Sequence, residues 1–407
     1  MVNVVFVAPY FGANILQCMQ AFCALDDVRL GIVTHEAEER VPTALRPRIA
    51  GHYRVQNSLD PDQLINAGRA FQKEWGTVDR ILGYMEQMQL PLAHAREALG
   101  IPGMDVQTAT NFRDKNRMKE VLGSAGLPVA RQARVTKVED ARRFVEAVGY
   151  PVILKPLAGL GTKDTFRVSS DDEMFVALNQ LLPSRRNAIQ AEEFVSGAEH
   201  TFETACVNGE PVWFSSTYYL PGPLQVVENP WMQYCVLLPR ERVDERSKAF
   251  HALNTRALKS LGLGTGLSHM EYFLTSGGKR VISEVAARPP GVNIMTMNSI
   301  AHEVDFWKKW AQLMVHDTFD MPERKWACGC AFFRGQGRGR VIASVEGLDE
   351  TLKELGDTVV EARLPKVGHP RSTHYEGEGW AIVRHAETAG AVEALRKLIS
   401  NTRLRYT

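Results

Sequence analysis

Residues 268–291 read SHMEYFLTSGGKRVISEVAARPPG, two alternating runs on either side of Ser276-Gly277-Gly278-Lys279. Alternation of this kind marks a pair of strands. Gly-Gly suits the centre of a two-residue hairpin turn, because both positions need positive φ. With Ser276 facing Lys279, the pairing carried back along the strands sets Glu271 directly opposite Glu284. Their Cβ atoms would lie about 5 Å apart, a like-charge pair that destabilises a sheet unless a cation sits between them. Hard divalent ions such as Mg²⁺ take carboxylate oxygens and keep their other positions for phosphate and water. The competing reading makes both acids solvated edge residues. The apolar neighbours Met270, Phe273, Val281 and Val285 argue against it.

The totals bound the rest. A chain of 407 residues is too long for one compact core, so roughly two to four domains or subdomains are expected. A net charge of +1 supplies no field to draw in nucleic acid or an anionic membrane, which favours small-molecule partners. Six sparse cysteines form no disulfide framework and fit a reducing, cytoplasmic setting. Cys328 and Cys330 would share one face of a strand. They read as two buried small apolar residues rather than a metal site, since no His or Cys pair accompanies them. The start, MVNVVFVAPYFG, lacks the basic leader of a signal peptide, and no run reaches the ~18 apolar residues of a membrane span. A soluble protein is expected, and a homodimer is left open.

Strands at Val2–Ala8, Val28–Val33 and Arg80–Gly83, with helices at 13–25 and 85–99, give a βαβ rhythm and hence a parallel-sheet α/β unit. Its first turn, PYFGAN, lacks G-x-G-x-x-G, so a dinucleotide fold is unsupported. Asn111 is the expected N-cap of the next helix, which Gly126 and Pro128 stop. Residues 209–240, rich in Pro, Tyr and Trp, read as an irregular segment near the site, and Trp213, Tyr218, Tyr219, Trp231 and Tyr234 are candidates either for a substrate pocket or for packing. A tail from residue 325 mixes strands with one strong helix, 387–399.

Three further elements carry charge. In YPVILKPLAGLGTKDTFRV, Lys155 ends an apolar strand, and a loop with Gly159, Gly161 and Thr162 leads to another strand. Successive N–H groups in such a flap can cradle an anion, although the P-loop pattern is absent. In QAEEFVSGAEHTF, Glu192 and Glu193 end an extended run and Glu199 follows behind Gly197; taken alone, these acids also read as a solvated connector. Lys115 and Lys119 share a helical face, which by itself also reads as a solvated surface. His269 and His302 are candidates for a general base or for structural histidines.

The order of these parts resembles the ATP-grasp superfamily, over residues 111 to 291: lysine on a helix, lysine on a strand, Gly-rich flap, E-E-F-V connector, G-x-E, two acids on a hairpin. The resemblance implies a pre-ATP-grasp parallel-sheet domain (1–108), a two-subdomain ATP-grasp fold (109–324, lid about 127–193) and a small C-terminal α+β unit (325–407). It further implies ATP and Mg²⁺ as cofactors. Lys115 and Lys155 would contact phosphates and the flap at Gly159, Gly161 and Thr162 would close over them. Glu192 and the Glu193–Phe194–Val195 backbone would meet adenine, Glu199 would meet ribose, and Glu271 and Glu284 would hold the metal. The family usually reads E-x-N where this chain has Glu284-Val285-Ala286, so one carboxamide ligand is missing. The arginine in E-x-A-A-R-P-P-G resembles that of carboxylate–amine ligases of the L-amino acid (dipeptide) ligase type, and Arg288 would stabilise an acyl phosphate. The implied activity joins a small-molecule carboxylate to an amine through an acyl phosphate, releasing ADP and phosphate. A carboxylase of the biotin carboxylase or purine-biosynthesis type and a non-catalytic nucleotide-binding protein are the alternatives.

Overall fold

The computed structural model describes residues 1–157, 164–241 and 245–407, with only the backbone of 245–249. Gly159, Gly161 and Thr162 lie outside the described residues.

The N-terminal sheet is parallel, as the βαβ rhythm requires. It comprises β1 (Val2–Val7), β2 (Val28–Thr34), β3 (Ile49–Arg54) and β4 (Arg80–Gly83), in the order β3-β2-β1-β4. Two capped helices follow. Asp105 caps Val106–Arg113, and Asp114 caps Lys115–Ser124 by accepting from the N–H groups of Asn116 and Arg117. Asn111 is therefore not the N-cap; it lies inside the first of these helices, where its amide donates to Leu261 O (3.1 Å). Asp114 outcompetes it because a carboxylate accepts from two exposed amides at once.

A second sheet, antiparallel, contains β5 (Gln132–Val135), β6 (Val152–Pro156), β7 (Phe166–Val168) and β8 (Ile189–Glu193), in the order β5-β8-β6-β7. The largest sheet has eight strands. Its first six are β9 (Ala198–Val207), β10 (Glu210–Leu220), β11 (Tyr234–Leu238), β12 (Gly266–Leu274), β13 (Arg280–Ala286) and β14 (Ala327–Phe333). Beyond β15 (Ile342–Glu346), β16 (Val359–Arg363) and β17 (Gly379–His385) complete it, giving β13-β12-β9-β10-β11-β14-β17-β16. The last strand, β18 (Arg403–Tyr406), forms a separate two-stranded sheet with β15. Residues 209–240 are thus mostly two interior strands and a short helix, Pro223–Glu228, not an irregular segment. Interior strands covered on both faces need no alternation, which removed the signal.

The hairpin at 275–279 also differs from expectation. Thr275, not Ser276, closes the turn: its N–H donates to Lys279 O (2.9 Å) and its carbonyl accepts from Gly278 N–H (2.9 Å). Of the two glycines only Gly278 has positive φ (76°). This turn moves the register by one residue, so Phe273 faces Val281 and Tyr272 faces Ile282. A bulge at Ser283 then shifts it back, and Glu271 faces Glu284.

Candidate functional site

One face of the large sheet forms the floor of a cleft. Antiparallel partners share a face, so the register defines rows across it. Ala286, His269, Glu203 and Ser215 make one row; Glu284, Glu271, Thr201 and Thr217 the next; Val281, Phe273 and Glu199 the third. Acids therefore gather on β9, β12 and β13 while the strands' other faces pack into the core. Facing this floor are Lys115 and Lys119, from the helix capped by Asp114, and Lys155 and Glu192 from β6 and β8. The space between measures about 1300 Å³, its open mouth included.

The structure brings to this cleft all the described residues that the resemblance assigns to nucleotide, metal and acyl phosphate: Lys115, Lys155, Glu192, Glu193, Phe194, Val195, Glu199, Glu271, Glu284 and Arg288. Their charges are matched locally. Lys115 Nζ bonds the Glu284 carboxylate. Glu192 receives Lys119 Nζ at 2.7 Å and Lys155 Nζ at 2.9 Å on one oxygen. Glu193 instead turns to Arg131, taking its Nε (2.5 Å) and backbone N–H (2.9 Å). Burial alone would raise the Glu284 carboxyl, but the charges of Lys115 and Lys155 more than offset it and hold the group down at about 2. Burial and the neighbouring Glu271 push Glu199 well up, so this carboxyl holds a proton more readily than an ordinary one. Burial lowers Lys119 to about 8 despite Glu192. Lys155 is also desolvated, but it faces Glu192, Glu284 and Glu271 and is held up.

Arg288 is fixed from outside the sheet. Its Nε donates to Glu86 Oε2 (3.0 Å), and the other oxygen of Glu86 accepts from Arg113. Glu86 comes from the segment following β4 and is 5% exposed. His269, beside Ala286 in the ladder, bonds Glu203 (2.9 Å) through Nδ1 and approaches Glu271 (3.5 Å) through Nε2. Burial opposes its protonation, yet the hydrogen bonds to Glu203 and Glu271 carry it up to about 9.

Other candidates lie elsewhere. His302 is buried and hydrogen-bonded to Pro322 O (2.7 Å), a structural histidine. Trp213 packs on Phe306, Tyr234 stacks on Phe332, Tyr218 packs against His200, and Trp231 is exposed; only Tyr219 of the five aromatics lines the cleft. Cys328 and Cys330 are buried, and Cys330 Sγ accepts from the Asn293 amide.

Sequence reasoning missed the cleft residues Glu86 and Tyr375, and also Glu203, the fully buried partner of the cleft's His269. A period-two signal, Glu199-x-Thr201-x-Glu203, was available for the last; nothing local marks the other two. Among the described residues no cluster of three or more ligating side chains could hold a metal, and no helix is long and apolar enough to cross a membrane. Mg²⁺ needs only one or two carboxylates when phosphates and waters supply the rest. Two hard oxygen donors on facing strands, with Glu284 kept ionised, fit that requirement.

Residues 120–303 match the ATP-grasp domain family. An L-arginine-specific L-amino acid ligase of Bacillus subtilis is 26% identical over 246 residues, 59% of each chain. An L-amino acid ligase structure from Bacillus licheniformis superposes with TM-score 0.77 at 20% identity, covering 100% of this chain and 99% of that one. Carboxyaminoimidazole ribonucleotide synthase from Aspergillus clavatus, solved with ATP, gives TM-score 0.71 at 15% identity over 98% of both chains. The chain spans 50–59% of the length of the leading curated relatives it matches. The floor of acids on a hairpin, the lysines above it and these likenesses converge: the chain carries an ATP-grasp domain, with L-amino acid ligases among its homologues.

Proposed function

We propose that this chain is an ADP-forming ligase that activates a small-molecule carboxylate as an acyl phosphate and passes the acyl group to an amine. The observation that carries this reading is the pairing of Glu271 with Glu284 under Lys115 and Lys155, with Arg288 anchored at the same cleft. Glu271 and Glu284 would hold Mg²⁺, which supplies charge neutralisation during phosphoryl transfer. Lys115 and Lys155 would leave their carboxylate partners for the phosphates of ATP. The Glu193–Val195 connector would face adenine, and Glu199, readily protonated, could both donate to and accept from ribose hydroxyls. The substrate carboxylate attacks the γ-phosphorus, the bond to the β-phosphate oxygen breaks, and ADP departs. Arg288 then faces the acyl phosphate and the oxyanion of the tetrahedral adduct. The amine expels phosphate, leaving an amide.

A second reading, an ATP-dependent carboxylase, is favoured by the near full-length likeness to the carboxyaminoimidazole ribonucleotide synthase. One experiment separates the two. The protein is given ATP, Mg²⁺ and a pool of amino acids, with and without bicarbonate, and phosphate and products are measured by mass spectrometry. The ligase reading expects one ADP and one phosphate per amide, independent of bicarbonate. Phosphate release that requires bicarbonate and yields no amide would sink it. Nucleotide binding with no turnover under either condition would leave a binding protein.

A further inference from the structure

The cleft is not uniform along its length. Crossing the sheet from β13 to β10, the floor changes from Glu284 and Glu271 through Glu199 to Tyr219. Adjacent strands are spaced ~4.8 Å, so Tyr219 stands about 10 Å from the β12 backbone, well clear of the acid pair. At that end the walls are Pro223 and Leu224 from the short helix, Val292 from the segment after Arg288, and Tyr375 from the loop between β16 and β17. None of these five residues carries a formal charge.

Three details make this a built subsite rather than the cleft's margin. Val292 is 4% exposed and held at φ 45°, a left-handed conformation that a β-branched residue avoids, and strain of this kind clusters at ligand sites. The Asn293–Cys330 contact fastens the next residue, so the strained turn is over-determined by its surroundings. Second, the side chains of Tyr219 and Tyr375 belong to the same apolar cluster, yet among the described residues neither phenol oxygen has a hydrogen-bond partner. Such groups suit a ligand that is mostly apolar and offers one or two polar atoms. Third, burial pushes both phenols up, so neither offers a charge to a ligand. Of the acids lining the rest of the cleft, Glu86 is committed to two guanidinium groups, Glu192 to two lysines and Glu193 to Arg131; on the ligase reading Glu271 and Glu284 serve the metal and Glu199, whose carboxylate lies against Gly222, serves ribose.

We propose that Tyr219, Pro223, Leu224, Val292 and Tyr375 form the side-chain subsite for the carboxylate substrate, and that this substrate is an amino acid with an uncharged, largely apolar side chain. This rests on the ligase reading above. A charged side chain placed here would lose its hydration without gaining a counter-ion, and burying an unpaired charge is strongly unfavourable. The contrast with the L-arginine-specific relative is direct, since a guanidinium would need an acid that none of these five residues supplies, and the nearest one, Glu199 beside Gly222, is taken by ribose on the same reading.

The test is amide formation with single amino acids as carboxylate donors, comparing Leu, Met, Phe and Gln with Arg, Lys, Glu and Asp. Uncharged donors are expected to exceed charged ones in kcat/KM by at least 100-fold. Leu224, half-buried and at a helix start, tolerates replacement, so Leu224→Glu should raise kcat/KM for Arg and Lys at least tenfold while lowering it for Leu and Phe. Leu224→Arg should do the same for Glu and Asp. Folding damage cannot produce opposite shifts in two charge classes. Amides formed equally well from charged donors, or Leu224 variants that lower all donors alike, would overturn the subsite while leaving the ligase reading intact. If no amino acid yields an amide, the ligase reading fails and the subsite falls with it.

Discussion

Removal of Glu86 is the sharpest perturbation the structure offers, because this one carboxylate holds two guanidinium groups from different parts of the chain. Its side chain is 5% exposed, that of Arg113 11% and that of Arg288 21%. Glu86→Ala therefore removes the carboxylate that both poorly hydrated cations face. Breaking a buried pair by deleting one partner costs about 3–5 kcal/mol, since the remaining charge is left uncompensated. Arg288 can swing toward the open cleft and recover some hydration, so the lower end of that range is expected. The functional loss should exceed the structural one in kind. On the proposed ligase reading Arg288 would no longer be pre-placed for the acyl phosphate, and losing one positioned electrostatic donor costs roughly 10²–10³ in kcat. Glu86→Gln keeps one acceptor but loses the charge, so both effects should fall between wild type and alanine. The assay is urea unfolding followed by tryptophan fluorescence, with phosphate release measured on the same samples. A double variant, Glu86→Ala with Arg288→Met, should lose less stability than the sum of the singles, because the second change removes the Arg288 charge as well. It should regain no activity. If Glu86→Ala loses under about 1 kcal/mol, well below the cost of a broken buried pair, and kcat stays within threefold, Glu86 is not the anchor of Arg288.

Other expectations follow from the same geometry. Glu271→Gln should abolish phosphate release at ordinary Mg²⁺, with partial recovery at high Mg²⁺, and Mg²⁺-dependent tightening of ADP binding, read by calorimetry, should vanish with it. Ala286→Asn restores the carboxamide usual in the family, at a position 3% exposed beside His269. It should tighten the Mg²⁺ requirement severalfold yet cost about 1–3 kcal/mol in overpacking, measured by Mg²⁺ titration of activity and by urea unfolding. Lys119 provides a pH test. Burial lowers it from 10.5 to about 8, so between those values the unfolded chain binds more protons, and this group makes stability rise with pH. The difference in unfolding free energy between wild type and Lys119→Met should shift toward wild type by roughly 2 kcal/mol from pH 8 to 9.5, at 1.36 kcal/mol per pKa unit. No shift would mean that the pairing with Glu192 fully offsets burial, and one of opposite sign that it outweighs burial; either refutes the expectation.

How much of this was legible depended on how local the determinant was. The parallel N-terminal sheet followed from apolar runs bounded by turn residues. Lys155 and the acid hairpin followed from charged residues in apolar strands, which a fold does not tolerate without a reason, whereas Lys115, on a helix, stood out only by its place in the order that resembles ATP-grasp proteins. Glu86 was not legible: it lies 202 residues from Arg288, and its segment has no distinctive pattern. Tyr375 was hidden likewise, in a loop that topology alone returns to the cleft. The stretch 209–240 misled because β10 and β11 are interior strands, whose packing on both faces erases the alternation that identifies a strand.

The hairpin is more instructive, because there the reading was right through two errors that cancel. A two-residue turn with an unbroken ladder sets Glu271 against Glu284. So does the observed turn closed by Thr275, but only because the bulge at Ser283 absorbs the extra residue. Without the bulge, the observed turn would set Glu271 against Ser283 and send Glu284 to the opposite face of the sheet, into the core beside Met118 and Ile282. What the sequence encodes firmly is the pair of acids, since both alternating runs place apolar residues on the core side of it. The turn is encoded weakly, because Gly277-Gly278 satisfies either geometry. The bulge also strengthens the local strand twist at the point where Glu284 meets Lys115 while facing Glu271. A residue added at Ser283 and one added in the turn thus serve a single end, the placement of one carboxylate oxygen, and neither change alone would leave the site intact.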